Sequence, residues 1–529
     1  MARFYIENFG CRAAQADGAA LQRQFLERGL ERAASARGAE IVVLNTCTVT
    51  EGADKDARAA IRRLQRTNPD CRILVTGCYA QRAPEELAAL PGVTWVVGNS
   101  HKHQAAEIAT SPSVGLVSLA QLSGEPIPPL RKEREGVGHP TNYAVGVIVG
   151  DIFAHTELLA APVFEAATAN DRTRPNLKVQ DGCDNHCSFC VIPYVRGQSR
   201  SLAAERVVAE VRTLVEAGYR EVVISGINLG RWGRDLEISS QFSVLSSQLV
   251  VVSRQSLVVG EHNPRSPMIS SQQRESNSER PTTNDQRLVA LIRAILKQTS
   301  LEKLRISSVE PMDWSDELIG LAASSARIAK HAHVPMQSGS DRVLRRMHRK
   351  YRPWHYREKI LKIRAAMPTA AIGGDAMVGF PGETEAEFDE TRRMVEELPF
   401  TYLHVFTYSA RPGTPAATQP GQVPATVARE RNRVLREIAS NKKAAFMRSL
   451  VGTVVEAITL QSGGAEFTEA LTDNYLKMKI SSRCEPNRWM QVKVEGVNGE
   501  MLLGKPATDP VLGPGLTGCV KTQYSPSSP

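Results

Sequence analysis

Cys183, Cys187 and Cys190 stand close together in the run Asp181-Gly182-Cys183-Asp184-Asn185-His186-Cys187-Ser188-Phe189-Cys190. Thiols spaced C-x3-C-x2-C can converge on one inorganic centre from a single loop, whereas the three cannot all pair as disulfides. Thiolates suit iron–sulfur centres and zinc. A [4Fe-4S] cluster held by three protein thiolates leaves one iron open to a substrate or cofactor. Zinc would want a fourth ligand. His186 is the only local candidate, and it sits so close to Cys187 that both side chains would have to fold back onto one ion. Three unliganded core thiols are the remaining reading.

A second set lies near the amino terminus. Cys11, Cys47 and Cys78 each follow an apolar run that reads as a strand: Phe4–Ile6, Glu40–Leu44 and Arg72–Val75. In a parallel sheet the carboxyl ends of the strands gather along one edge, where open α/β folds place their ligands. Three unrelated buried thiols are the alternative. Cys71 precedes its strand, belongs to the opposite edge and is excluded as a ligand. Cys484 and Cys519 have no partner at ligand spacing and read as ordinary small residues.

The elements that must position these thiols fall into three regions. Over residues 1–110, strands at Phe4–Ile6, Glu40–Leu44, Arg72–Val75 and Trp95–Val97 alternate with helical patterns at about 16–28 and 51–66, which predicts a parallel α/β domain. Residues 111–172 read as a linker. Residues 173–440 hold six further strand runs, at Leu177–Val179, Glu221–Ser225, Leu304–Ile306, His333–Met336, Ala376–Val378 and Tyr402–Phe406. Helical patterns between most of them predict a partial (β/α) barrel. A Ser/Gln-rich stretch at 241–285 reads as a surface insertion. Residues 446–522 carry short strands, including Val451–Glu456, Tyr475–Ile480 and Met490–Val494, that fit a small β-barrel.

Composition narrows the function class. Hydrophobic residues at 42% and charged residues at 23% of 529 exclude disorder throughout. The balance of 65 Lys+Arg against 56 Asp+Glu, +9, hints at an acidic partner such as nucleic acid. The first residues lack the apolar core of a signal peptide. The most apolar stretch, Tyr143 to Phe164, is broken by Asp151, His155 and Glu157, so no membrane span is expected. A cytoplasmic protein is the expectation.

C-x3-C-x2-C after the first strand of a βα-repeat region resembles the radical S-adenosylmethionine superfamily. The runs Val191–Ser201, Ser225–Gly230, Ser308–Pro311, His333–Asp341 and Gly379–Thr384 resemble its methylthiotransferase branch. The amino-terminal motifs Gly10-Cys11, Asn45–Thr50 and Thr76–Cys78 do so as well. One departure is Ala14, where that branch usually carries Asn, which touches the support of the loop and not the ligand set. The resemblance implies two [4Fe-4S] clusters. One, on Cys183, Cys187 and Cys190, would bind and cleave S-adenosylmethionine; an auxiliary cluster on Cys11, Cys47 and Cys78 would deliver sulfur. Gly226 and Asn228 would approach the methionine part of the cofactor. Glu310, Gln337 and Asp375, at or near predicted strand ends, would meet its ribose or amino groups. Arg196 and Arg200 would contact substrate phosphate or serve as ion pairs.

The family divides by substrate: threonylcarbamoyl-adenosine or isopentenyl-adenosine at position 37 of tRNA, or an aspartate of a ribosomal protein. Thr48-Val49-Thr50 after Cys47, and the lack of Glu before Ser199-Arg200, favour the threonylcarbamoyl branch. The last module resembles a TRAM domain, whose Lys477, Lys479, Arg483, Arg488 and Lys493 would meet RNA phosphates. The expected partners are a tRNA anticodon loop and an electron-donating reductase, with no membrane. A non-catalytic iron–sulfur or zinc protein that binds RNA is the reading from another class.

Overall fold

Aliphatic runs with no polar alternation predict strands covered on both faces, and Ile41–Thr46, buried at all six positions, is the centre of such a sheet. The computed structural model describes residues 2–111, 145–154, 174–236, 285–464, 466–507 and 519–520. Most of the expected linker and the Ser/Gln-rich insertion lie outside them.

The first domain is a six-stranded parallel sheet of β1 (Arg3–Asn8), β2 (Glu31–Arg32), β3 (Ile41–Thr46), β4 (Arg72–Gly77), β5 (Val93–Gly98) and β6 (Gly146–Ile148), in the order β2-β1-β3-β4-β5-β6. Helices Arg12–Glu27 and Glu51–Thr67 cover it; Thr50 caps the second by accepting from the Ala53 amide at 3.2 Å. Gly146–Ile148 falls in the stretch expected to be linker, yet it pairs with β5 as the sheet's edge.

The second domain carries β7 (Asn176–Asp181), the short antiparallel β8 (Arg200–Ser201), β9 (Glu221–Gly226), β10 (Lys303–Ile306), β11 (His331–His333), β12 (Ala371–Val378) and β13 (Tyr402–Thr407). Parallel pairing runs β7-β9-β10, and a bridge from Ser308 to His333 joins it to β11-β12-β13. The result is an open (β/α) barrel. The strand expected at His333–Met336 instead occupies His331–His333. Val334 and Met336 still donate to Gly373 and Asp375, but Pro335 has no N–H to give and Gln337 turns the chain at φ +63°.

The last domain is a closed five-stranded barrel of β14 (Val454–Gly463), β15 (Thr468–Thr472), β16 (Lys477–Ile480), β18 (Trp489–Asn498) and β19 (Met501–Pro506), with β17 (Arg483–Cys484) and β20 (Cys519–Val520) pairing beside it. The helix Ala425–Ser449 places Leu435 and Ala439 in the open-barrel core and Met447 in the small-barrel core, so one element serves both. Cys484, expected to be an ordinary small residue, is disulfide-bonded and stands opposite Cys519 in the β17–β20 register.

The turn between β15 and β16 closes the amino-terminal end of the open barrel. Arg305 of β10 pairs with Glu221 at 2.5 Å and donates to the Asp473 carbonyl at 2.9 Å. Tyr475, at φ +70°, lies under the guanidinium groups of Arg12, Arg174 and Arg305 at 5.3–5.8 Å from its ring centre. Three cations around one ring fasten all three domains together.

Candidate active site

Both thiol trios sit at carboxyl ends of parallel strands. Cys183, Cys187 and Cys190 follow β7, and their loop is tied down at several points. The Cys183 amide donates to the Gly197 carbonyl at 3.1 Å, and Ser188 donates from its amide and hydroxyl to the Met347 and Arg346 carbonyls. Burial, followed by the neighbouring Cys187, pushes the Cys190 thiol up to about 12. Cys11, Cys47 and Cys78 follow β1, β3 and β4; Cys11 is exposed and the other two are buried. Burial, followed by the neighbouring Cys78 and Cys11, pushes the Cys47 thiol up to about 12. Cys71 lies at the start of β4, at the opposite edge.

The two trios flank one short helix. Cys78 shares an apolar cluster with Val191 and with Ile192 and Val195 of the Ile192–Arg196 helix, and Cys183, Cys190 and Ile227 pack against that cluster. Asn99 ties the segment to the amino-terminal trio by donating to the Val195 carbonyl at 2.7 Å and to Cys78 Sγ at 3.5 Å. Packed apolar side chains therefore stand between the two sets of thiols.

The loops that carry Cys11 and Cys47 are held from both sides. Thr48, beside Cys47, accepts from Arg82 at 2.8 Å and from Arg411 at 3.0 Å; both arginines also pair with Asp54. Asn45 donates to the Ala14 carbonyl at 2.5 Å and to Asn8 at 3.0 Å, so the Cys11 loop is supported although Ala14 offers no side-chain donor. At Gly10, φ +92°, a Cβ would fall 2.7 Å from Cys47 Sγ. Only glycine lets the loop pass so close to the thiol.

Around Cys183, Cys187 and Cys190, Asn228 Nδ2 points at Cys183 Sγ from 3.8 Å and its backbone amide donates to Gln180 Oε1 at 2.7 Å. Its Oδ1 is buried with no hydrogen-bond partner. Gly226 ends β9, where a Cβ would meet Gln180 Oε1 at 2.7 Å. Glu310 lines an open cleft with Cys187, Asn185, Met312 and Arg349. The Arg349 guanidinium reaches both Cys187 Sγ, at 3.2 Å, and the Glu310 carboxylate. Gln337 lies beyond the end of β11 and bridges to Ala376, in a left-handed conformation that costs a non-glycine residue energy. Asp375 is not at a strand end: it is the fifth residue of β12, 3.3 Å from both His333 and His404.

Arg196 does not reach out to a substrate phosphate. It is 2% exposed and pairs with Asp181 at 2.9 Å and with Asp17 of the first domain at 2.9 Å. Lys102 and Lys178 join the same buried set through Asp17. Burial alone would raise the Asp17 carboxyl, yet Lys102, Lys178 and Arg196 hold it well below the usual carboxylate range. Arg200 stands in β8, opposite Asp181 in the ladder. Of these groups only Lys178 had a visible sign, a charge between Leu177 and Val179 inside a strand. Arg349, Asp17 and Lys102 had none.

The donor sets fit iron–sulfur chemistry better than zinc. Three thiolates about 2.3 Å from one zinc would lie within about 4 Å of each other. Among the described residues, the one His/Cys/Asp/Glu group with all ligand atoms within 4.8 Å is His333, Asp375 and His404, and neither cysteine trio is drawn in that far. His186, the candidate fourth zinc ligand, is exposed.

An open (β/α) barrel that presents C-x3-C-x2-C after its first strand is the architecture of a radical S-adenosylmethionine enzyme. Residues 177–230 and 278–395 match the Radical SAM superfamily, and residues 3–98 match a family described as Uncharacterized protein family UPF0004. The chain is 34% identical over 482 residues, 90% of each protein, to the threonylcarbamoyladenosine tRNA methylthiotransferase MtaB of Bacillus subtilis (strain 168). It is 31% identical to the protein of the same name from Aquifex aeolicus (strain VF5), over 92% of this chain and 99% of that one. It is also 30% identical to a tRNA-2-methylthio-N(6)-dimethylallyladenosine synthase of Erythrobacter litoralis (strain HTCC2594), over 87% of each. The chain belongs to the radical S-adenosylmethionine methylthiotransferases, a family of transferases that use S-adenosylmethionine and an iron–sulfur cluster. No helix among the described residues is long and apolar enough to cross a membrane.

Proposed function

We propose that this chain adds a methylthio group to C2 of N6-threonylcarbamoyladenosine at position 37 of tRNA, using two [4Fe-4S] clusters. The observation that carries this is the placement of two thiol trios on either side of Ile192–Arg196, in a chain whose relatives of that name match it nearly end to end. Cys183, Cys187 and Cys190 would hold the first cluster and Cys11, Cys47 and Cys78 the second. When bound, the first cluster and S-adenosylmethionine supply a radical able to take hydrogen from an unactivated C–H bond, and the second supplies sulfur.

The protein's own part is to bind, orient and exclude water. Gly226 and Asn228 would approach the methionine portion of S-adenosylmethionine, and the unpartnered Asn228 Oδ1 would accept from its ammonium group. Glu310 and Gln337 would meet its polar groups, and Arg349 fixes the Glu310 carboxylate. The apolar cluster around Val195 keeps water from the path between the thiol trios. Lys477, Lys479, Arg483, Arg488 and Lys493 are all exposed on the last domain and would meet tRNA phosphates. A reductase of the cytoplasm would supply electrons.

Mass spectrometry of tRNA nucleosides from cells with and without this gene tests the assignment. The expected result is loss of the methylthio group from threonylcarbamoyladenosine alone. Loss from the isopentenyl nucleoside instead would transfer the chain to the branch represented by the Erythrobacter litoralis relative.

A further inference from the structure

The open barrel holds a group of ligating side chains that neither thiol trio uses. His333 ends β11, Asp375 is inside β12 and His404 is inside β13. Alternation along strands puts residues i and i+2 on one face, so His333 shares a face with His331, and His404 with Tyr402 and Phe406. Ring contacts among His331, His333, Tyr402, His404 and Phe406 show that these faces are one surface. The ladder sets Asp375 directly opposite His404.

The geometry points to a binding site for one divalent transition-metal ion of the zinc class, held by His333, Asp375 and His404. Asp375 Oδ1 lies 3.3 Å from His333 Nε2 and 3.3 Å from His404 Nδ1, and one ligand atom from each residue falls within 4.8 Å of the others. Donors about 2.0–2.2 Å from a shared zinc are separated by comparable spans. His333 Nε2 is buried and makes no aligned hydrogen bond despite its approach to the carboxylate. Its other nitrogen, Nδ1, is 2.9 Å from Ser308 Oγ. That arrangement, one ring nitrogen turned to the shared centre and the other fixed by an outer partner, is how metal-binding imidazoles are oriented.

Ligand count and access agree with this assignment. Two imidazoles and one carboxylate form a nitrogen/oxygen set that suits zinc and other borderline ions and leaves at least one coordination position open. The His404 side chain is 56% exposed, which supplies an entry path. The site is separate in kind from the thiol trios: it offers no sulfur, and its ligands come from the last three barrel strands and not from the loop after the first. It goes beyond the methylthiotransferase reading and does not depend on which nucleoside is the substrate.

The test uses the full chain with its iron–sulfur centres reconstituted anaerobically, equilibrated with zinc sulfate and desalted. Zinc, iron and acid-labile sulfide are then measured for the native chain, His404→Ala and Asp375→Asn. About one zinc per native chain is expected, falling at least about tenfold in each variant, with iron and sulfide unchanged. His404→Ala removes a side chain that is more than half exposed, so the core is not cut. Zinc-edge X-ray absorption of the native chain gives a reading free of mutation: nitrogen and oxygen neighbours at about 2.0–2.2 Å support the site. A sulfur shell at about 2.3 Å, no retained zinc, or equal zinc in the variants would overturn it.

Discussion

Arg349 donates to Cys187 Sγ across 3.2 Å. The same guanidinium holds Glu310, so a thiol of the loop and a carboxylate of the cleft are fixed by one planar fork. Replacing Arg349 with Met should slow reductive cleavage of S-adenosylmethionine by about 10–100-fold, the usual cost of losing an outer partner of a metal ligand. Arg349→Lys keeps the charge but not the fork and should fall between the two. The rate of 5′-deoxyadenosine formation and the electron paramagnetic resonance spectrum of the reduced chain measure this.

The two thiol trios should be separable by metal count. The triple variant Cys11→Ala, Cys47→Ala, Cys78→Ala should drop from roughly eight irons per chain to roughly four. It should still cleave S-adenosylmethionine but leave tRNA without methylthio groups. Iron and sulfide assays together with nucleoside analysis check both halves. Retention of the full iron content would remove the auxiliary cluster from the scheme.

Asp17 is the anion shared by Lys102, Lys178 and Arg196 across the boundary between the first two domains. Asp17→Asn leaves three buried cations short of a partner and should cost about 3–5 kcal/mol of stability. The pH dependence follows from the depressed carboxyl. Its contribution is complete above the unfolded value near 4 and is lost as pH falls through the lower folded value. Thermal melts of the native chain should therefore lose stability below about pH 4, and Asp17→Asn should lack that part of the acid limb.

Tyr475 separates backbone strain from stacking. At φ +70° a tyrosine carries a left-handed penalty of about 1–2 kcal/mol that glycine would relieve. Even so, Tyr475→Gly should destabilise the chain, because it removes the ring beneath three guanidinium groups and the hydroxyl that accepts from Arg12 at 3.0 Å. A rise in melting temperature on that substitution would show that strain outweighs the contacts.

The strands that read most clearly are the ones with unbroken aliphatic runs, such as Ile41–Leu44 and Val222–Ile224, since burial on both faces leaves no competing pattern. His331–His333 was misplaced because its edge is set by Pro335 and by the turn at Gln337, features of pairing and not of hydropathy. Gly146–Ile148 is too short to stand out, and only its neighbour β5 makes it a strand. The positions of the two cysteine sets after their strands are legible because thiol spacing within a loop, or position after a strand, survives without knowledge of the fold. For Arg196 the sequence leaves phosphate contact and ion pairing both open, since nothing near it in the chain reveals Asp17, which lies 179 residues earlier. Partners that meet across domains leave no local trace.

The barrel's open side is spanned by the first domain. Asp17 grips Lys178 on the first barrel strand, while Asp54 grips Arg411 and the Glu51 amide meets Ser409 just beyond the last. A ring that the sheet leaves unfinished is therefore completed by a keystone from outside it, and the wall so formed also carries Cys11, Cys47 and Cys78. The middle region is thus not an excisable cassette. Cut free of residues 1–110, it would lose the brace across its gap in the same step as its second set of thiols, and no engineered swap of that domain can change the chemistry while leaving the scaffold untouched.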